Sequence, residues 1–365
     1  MKNPFKFGSI VDEPYFTNRK KEIAKVKSVL GSENHLILRS PRRYGKSSLV
    51  YYVVTRLGRP SVKIDLQIVT GPTDLAAQIM KGLFRIFPFE KIRQSIKNFR
   101  INPSVTINPA NNNVEVSFQP GTSHEPALED VLNLLEKLST KRKKIIVVFD
   151  EFQEVTAIHP GLLALMRSVM QHHKKINYVF LGSQESMIRD IFEKRNSPFY
   201  HFGMTLSLER IPEKEFREYL FEGFTGVVKD PEKITKEILD YTGCHPYYTQ
   251  KLAFLVWENC RQANDKENVV NDTIEELLLI HEMDYERLWM GMNSTDKKFL
   301  IGLSVTDIPP MSEAFYRKYD MGAPSTVYSS IKRLMQRGLI TKIKGAYRID
   351  DPFFGKWIRQ KRMGI

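Results

Sequence analysis

The run Ile145-Ile146-Val147-Val148-Phe149, apolar at every position and stopping abruptly at Asp150-Glu151, constrains this chain more than any other stretch. A strand with no polar side is stable only when both faces are covered, as in the interior of a parallel sheet. Similar short runs occur at His35–Arg39, Val62–Leu66, Tyr178–Leu181 and Met204–Leu208, with amphipathic stretches of helical spacing between them. Another such stretch, carrying Ile23, Val26, Val29 and Leu30, precedes the first strand. The pattern predicts an α/β domain over residues 1–211, a parallel sheet with helices on both faces. Around Asn108–Asn113, the residues Val105, Ile107, Val114, Val116 and Phe118 alternate with polar ones, predicting a β-hairpin inserted at about 100–120.

From 212 to 292 only the helical period survives, with Leu220, Phe221, Phe224, Ile234, Ile238, Leu239, Leu252, Leu255 and Val256 as the expected core of a helical lid. Residues 293–365 read as a third unit of three helices and two strands. The first helix buries Phe299, Leu300 and Leu303, and Glu313–Tyr319 forms the second. The third starts near Pro324, turns Val327, Ile331 and Leu334 inward and ends at Gly338. Leu339–Ile343 and Ala346–Ile349, joined by Lys344-Gly345, make the wing of a winged helix. Two cysteines, Cys244 and Cys260, exclude a disulfide framework, and no Cys/His spacing fits zinc. With no signal-peptide pattern and no apolar run of membrane-spanning length, the expected setting is the cytoplasm.

The segment Ser40-Pro41-Arg42-Arg43-Tyr44-Gly45-Lys46-Ser47-Ser48 follows the first strand and precedes an apolar stretch, Leu49 to Val54. It matches the phosphate-binding pattern G-x-x-x-x-G-K-[ST] at Gly45, Lys46 and Ser47, with Ser40 in place of the first glycine. Gly45 lets the backbone approach phosphates, and the helix that follows aims its first amides and its dipole at them. Lys46 is expected on the β- and γ-phosphates and the Ser47 hydroxyl on Mg²⁺, with Pro41 to Tyr44 and Ser48 completing the cradle. Gly-Lys-Ser alone is a common tripeptide; its place between strand and helix gives it meaning. Asp150 and Glu151, ending the apolar run, form the matching Walker B pattern: Asp150 would hold the metal and Glu151 would orient or deprotonate water. After the next strand, Ser183, with Gln184 in reserve, is the candidate sensor of the terminal phosphate. The lysine loop and the twin acids are expected side by side at neighbouring strand tips.

Several further segments together resemble the AAA+/STAND superfamily, specifically its archaeal-type ATPases. They are Asn3-Pro4-Phe5, Phe16 to Ile23 with Arg19, Pro41 to Leu49, Phe149 to Gln153, Gly182 to Met187, Gly243 to Tyr248 and Asp351 to Trp357. The resemblance implies a parallel-sheet P-loop NTPase of the AAA+/ASCE type followed by a helical lid and a winged helix, with ATP between the first two. It also implies that Pro246 touches the base and that Phe16 and Arg19 line the same pocket. Two departures stand out: Ser40 for glycine, and no arginine within Asn196 to Phe202, where the family tends to carry one. Slow hydrolysis is the expectation, with Arg42, Arg43 or Arg195 as substitutes for that arginine.

The formal charge of +13 points to an anionic partner, and +8 of it lies between Gly291 and Ile365. The outward face of the third winged-helix helix would present Ser325, Tyr328, Ser329, Lys332 and Arg333 to DNA, and Lys342, Lys344 and Arg348 of the wing would reach its backbone. Winged helices also serve as protein-docking modules, so a protein partner is the alternative. Three readings follow: an ATP-dependent switch using Mg²⁺; a DNA-binding regulator with nucleotide as a structural ligand; or a signalling scaffold that oligomerises on ATP. Oligomeric state is open at this level.

Overall fold

The computed structural model describes residues 2–108, 113–119, 124–262, 268–343 and 345–364. Nine strands are assigned among them: β1 Leu36–Arg39, β2 Ser61–Asp65, β3 Ser104–Asn108, β4 Asn113–Ser117, β5 Ile145–Asp150, β6 Ile176–Gly182, β7 Met204–Ser207, β8 Ile340–Ile343 and β9 Ala346–Ile349. By their contacts the residues form two compact units. One comprises 19–40 and 46–209; the other comprises 1–18, 41–45 and 210–365.

The first unit is built on an all-parallel five-stranded sheet in the order β2-β5-β6-β1-β7. Alternate residues Val147, Phe149, Tyr178 and Phe180 join one core cluster. Their neighbours Ile146, Val148, Val179 and Leu181 are buried as well. Covered on both faces, these strands have no use for a polar alternation, which is why the sequence shows none. The expectation of neighbouring strand tips is corrected here, because β6 lies between β1 and β5. The chain leaves β1, crosses to the far edge as β2 and fills inward through β5 and β6, so β6 separates the two motifs before β7 closes the other edge. The expected hairpin is present as β3 and β4, pairing Val105 with Val116 and Ile107 with Val114. Its connection, residues 109–112, lies outside the described residues.

In the second unit, the helices Glu213–Phe224, Pro231–Thr242, Pro246–Gln262 and Val269–Met290 precede the winged helix. Of the expected core, Phe221 is instead 42% exposed. Phe216, Leu220 and Phe224 take the i, i+4, i+8 face of that helix, and Phe221 sits one step around from it. Leu255 and Leu303 are only partly buried against the core. The N-terminal Asn3-Pro4-Phe5 packs onto these helices: Asn3 Nδ2 donates to the Phe254 carbonyl at 3.1 Å and to Glu258 at 2.8 Å. Phe5 is buried against Tyr219 and Phe224. A Cβ at Gly223 would come within 2.5 Å of the Phe5 ring, so the close approach needs glycine there.

The winged helix follows as helices Ser294–Val305, Glu313–Tyr319 and Pro324–Gln336 with the β8–β9 wing. A further helix, Pro352–Ile358, lies beyond the three-helix, two-strand reading. Asp351 accepts from the amides of Phe353 and Phe354 at 2.9 and 3.2 Å, with proline at the first turn. Among the described residues no helix is long and apolar enough to cross a membrane.

Candidate functional site

In the first unit, Lys46 opens helix Lys46–Arg56. Its side chain is buried, and Nζ lies 3.4 Å from the Ser40 carbonyl. Ser47 Oγ donates to Asp150 Oδ2 at 2.7 Å, a contact between residues 103 positions apart. Burial pushes the Asp150 carboxyl up, helped by neighbouring Glu151; the Ser47 hydroxyl and Lys46 pull it back. Such a carboxylate gains from a cation placed beside it.

Glu151 adopts left-handed backbone, φ 49°, a conformation a non-glycine residue keeps only when its surroundings enforce it. Two donors converge on its Oε2: Ser183 Oγ at 2.5 Å from the tip of β6, and Gln153 Nε2 at 2.6 Å. Thus β6, which the sequence reading did not interpose, brings Ser183 against Glu151. Gln153 was not singled out as a site residue. It is fully buried and its Oε1 has no hydrogen-bond partner, an arrangement worth its cost only if the amide is needed where it sits. The signal available was its place two residues after the acid. Gln184 stands before helix Glu185–Phe192 and makes no side-chain cap.

Hydroxyl and carboxylate oxygens are hard donors, and a magnesium ion uses one or two protein ligands plus phosphate and water. Ser47 and Asp150 fit that requirement. Among the described residues no group of three or more His, Cys, Asp or Glu gathers into a metal cluster.

The loop ahead of Lys46 belongs to the second unit. Arg43 and Gly45 take left-handed φ of 65° and 86°, whereas Ser40 is not among the positive-φ residues, so a side chain is tolerated where the pattern has glycine. The Arg43 guanidinium lies 4.6 Å from the centre of the Tyr247 ring and donates to Tyr248 Oη at 3.2 Å. Tyr44 is 2% exposed, its ring edge-on to His245 and its hydroxyl 3.4 Å from Asp350 Oδ1. Arg210 reaches the same hydroxyl at 3.5 Å and the Gly243 carbonyl at 2.8 Å. The Tyr44 side chain is therefore committed to the protein, leaving only its backbone for a ligand. Arg42 is exposed, Pro41 and Ser48 partly so.

Pro246 is buried at the start of its helix, after left-handed Gly243 and Cys244. His245 Nδ1 accepts from the amides of Tyr247 and Tyr248 at 3.2 and 3.4 Å, capping the helix. Burial holds the His245 imidazole neutral, its pKa pushed down despite Asp350 3.5 Å away. Phe16 is half-buried in the second unit, and Arg19 is buried in the first, donating to the Glu209 carbonyl at 2.8 Å. Arg195 is exposed.

On the winged helix, Ser325, Tyr328, Ser329 and Lys332 are exposed on helix Pro324–Gln336, as are Lys342 and Arg348 on the wing. Arg333 is partly exposed on the same helix and is engaged within the chain. It folds back on Asp296, with bonds of 2.8 and 3.2 Å, because that buried carboxylate needs a counter-charge. Lys344 lies outside the described residues.

Residues 16–252 match the family described as an ATPase domain predominantly from Archaea, and residues 283–360 match a probable winged helix domain. Among curated proteins none matches the sequence. Of solved structures, the Walker-type ATPase paby2304 of Pyrococcus abyssi is similar at 19% identity and a TM-score of 0.68, covering 98% of this chain and 99% of that one. The Aeropyrum pernix ORC2 protein, solved in ADPNP–ADP complexes, gives 15% identity and a TM-score of 0.56 over 99% and 100%. The Aeropyrum pernix ORC1 protein in complex with DNA gives 14% and 0.50 over 95% and 93%. At these identities the likeness concerns the fold.

Proposed function

The chain belongs to the family of ATPase domains found predominantly in Archaea, and from that premise we propose that it binds ATP with Mg²⁺ and hydrolyses it slowly, as a switch acting on its winged helix. The observation that carries the reading is the 2.7 Å contact between Ser47 and Asp150, two oxygens from distant motifs brought to one point. Lys46 neutralises phosphate charge from the first turn of its helix, whose N-terminal amides add to the attraction. Mg²⁺, when bound, would be held by Ser47 and Asp150 and would supply charge stabilisation for the transferred phosphoryl group. Glu151 orients a water and takes its proton, its carboxylate fixed by Ser183 and Gln153. The absence of arginine from Asn196 to Phe202 is the reason for expecting slow turnover. Titration of ATP-Mg²⁺ into the protein tests this: Lys46→Ala should lower affinity at least ~100-fold, and unchanged affinity refutes the assignment.

DNA binding by the winged helix is a second reading, favoured by the exposed Ser325, Tyr328, Ser329 and Lys332 in a segment carrying +8. Nucleotide would then act through the same chain on a DNA contact. ATP turnover with and without duplex DNA, and duplex affinity with and without ATP-Mg²⁺, separate the two readings.

A further inference from the structure

Helix Val269–Met290 buries Ile274, Leu277, Leu278, Tyr285 and Trp289, yet it carries a second apolar set on its other side. Leu279, Met283 and Met290 are each 69% exposed and Ile280 63%. At about 100° per residue, these four fall with Asp272, Glu276 and Arg287 inside one arc of about 100°. The stripe has a polarity: acids near the start, apolar side chains in the middle, a base near the end.

The adjoining face is already neutralised within the chain. Glu275 pairs with Lys356 at 2.7 Å, Glu282 with Lys361 at 2.6 Å, and Glu286 with Arg362. The charges of the stripe have only long contacts by comparison: Arg287 is 3.8 Å from Asp284, and Glu276 is 3.5 Å from Asn259 Nδ2. A contiguous apolar patch with charged ends marks an interaction surface more than a solvated one.

We propose that this stripe is a self-complementary interface joining two copies of the chain, helix against helix, antiparallel about a two-fold axis near residue 281. In that arrangement Glu276 of each copy faces Arg287 of the other, and Leu279 and Ile280 of each copy pack against Met283 of the other. A parallel arrangement would set Glu276 against Glu276 and Arg287 against Arg287, so the charge order selects the antiparallel one. The exposed apolar area, on the order of 1,000 Å² over both copies, sits at the low end of specific interfaces. The dimer is accordingly weak, with a dissociation constant of about 10–100 µM. Nothing in this depends on the nucleotide site.

Sedimentation equilibrium of the full chain at concentrations spanning that range tests the interface. A reversible monomer–dimer equilibrium is expected, weakened at least ~10-fold by Leu279→Glu with Met283→Glu. Glu276→Arg alone and Arg287→Glu alone should each weaken association several-fold, and the two together should restore it, a rescue that no folding defect imitates. Thermal melts should be unchanged, since all four positions are exposed in the monomer. A monomer at every concentration overturns the proposal. So does a dimer indifferent to the Leu279 and Met283 changes, or a double charge exchange as weak as either single one.

Discussion

On one side of Gly45 the phosphate-binding loop is tied to short polar contacts at strand ends: Ser47 to Asp150, and Ser183 and Gln153 to Glu151. On the other side it is tied to aromatic rings. Arg43 lies on Tyr247 and Tyr248, and Tyr44 is sunk against His245 and Asp350. The first set gathers two carboxylates and their hydroxyl and amide donors, the groups on which the proposed hydrolysis rests. The second has the composition of a mount, which fixes backbone and offers little chemistry. Adjacent residues of one loop thus answer to different demands, and substitutions should separate them.

The largest separation is expected at Glu151. Glu151→Gln should lower ATP turnover about 100-fold or more, with affinity changed little, because the amide cannot take a proton. Gln153→Ala should cost about 10-fold in kcat, a milder loss from a carboxylate that is present but less well held. Single-turnover measurement beside equilibrium nucleotide titration reads both quantities. A fall in affinity with kcat unchanged would move Glu151 out of the reacting set.

Acid should also distinguish the two units. Burial pushes His35 and His173 of the first unit down to about 4. Each is neutral when folded and would protonate near 6.5 when unfolded. The stability they confer is complete above about 6.5 and is lost as pH falls through about 4. For well-buried His173 the shift is worth about 3 kcal/mol. His245 of the second unit is also pushed down, but Asp350 opposes the effect of burial. All three tryptophans, Trp257, Trp289 and Trp357, lie in the second unit. Circular dichroism should therefore lose signal at higher pH than tryptophan fluorescence does. Coincident transitions would mean that the units unfold as one.

The elements of the first region were legible because local rules produce them. An apolar run ending in two acids and a Gly-Lys-Ser between strand and helix are patterns of adjacent residues, and the strands and the two wing segments came within a residue or two of the observed bounds. What was not legible depends on strand order and on distant partners. Nothing near β1 or β5 announces that β6 lies between them, so the contact of Ser183 with Glu151 could not be placed. Phe221 was misassigned because period alone does not say which of two adjacent apolar residues faces inward. The pairing of Arg333 with Asp296 was not legible because the two stand 37 residues apart. The aromatic mount was invisible for the same reason, since Tyr44 and Asp350 stand 306 positions apart.

That mount should show the opposite kinetic signature from the acids. Tyr248→Phe removes the hydroxyl that accepts from Arg43, and the loss of that one bond should weaken ATP affinity about 3- to 10-fold while kcat holds. If kcat falls and affinity does not, the division between centre and mount fails.

The smallest expected effect lies on helix Pro324–Gln336 of the winged helix, and it completes the comparison because neither Lys332 nor Arg333 is among the loop's partners named above. Lys332 is exposed, whereas Arg333, next in sequence, is held by Asp296. If the face meets duplex DNA through phosphates, Lys332→Ala should weaken binding several-fold at low salt and lower the slope of log affinity against log salt by about 1. Arg333→Ala should leave that slope unchanged, because its charge is already met by Asp296, and should instead lower the melting temperature by leaving a buried carboxylate without its counter-charge. An equal change in slope for both would mean that the Arg333–Asp296 pair opens to receive DNA.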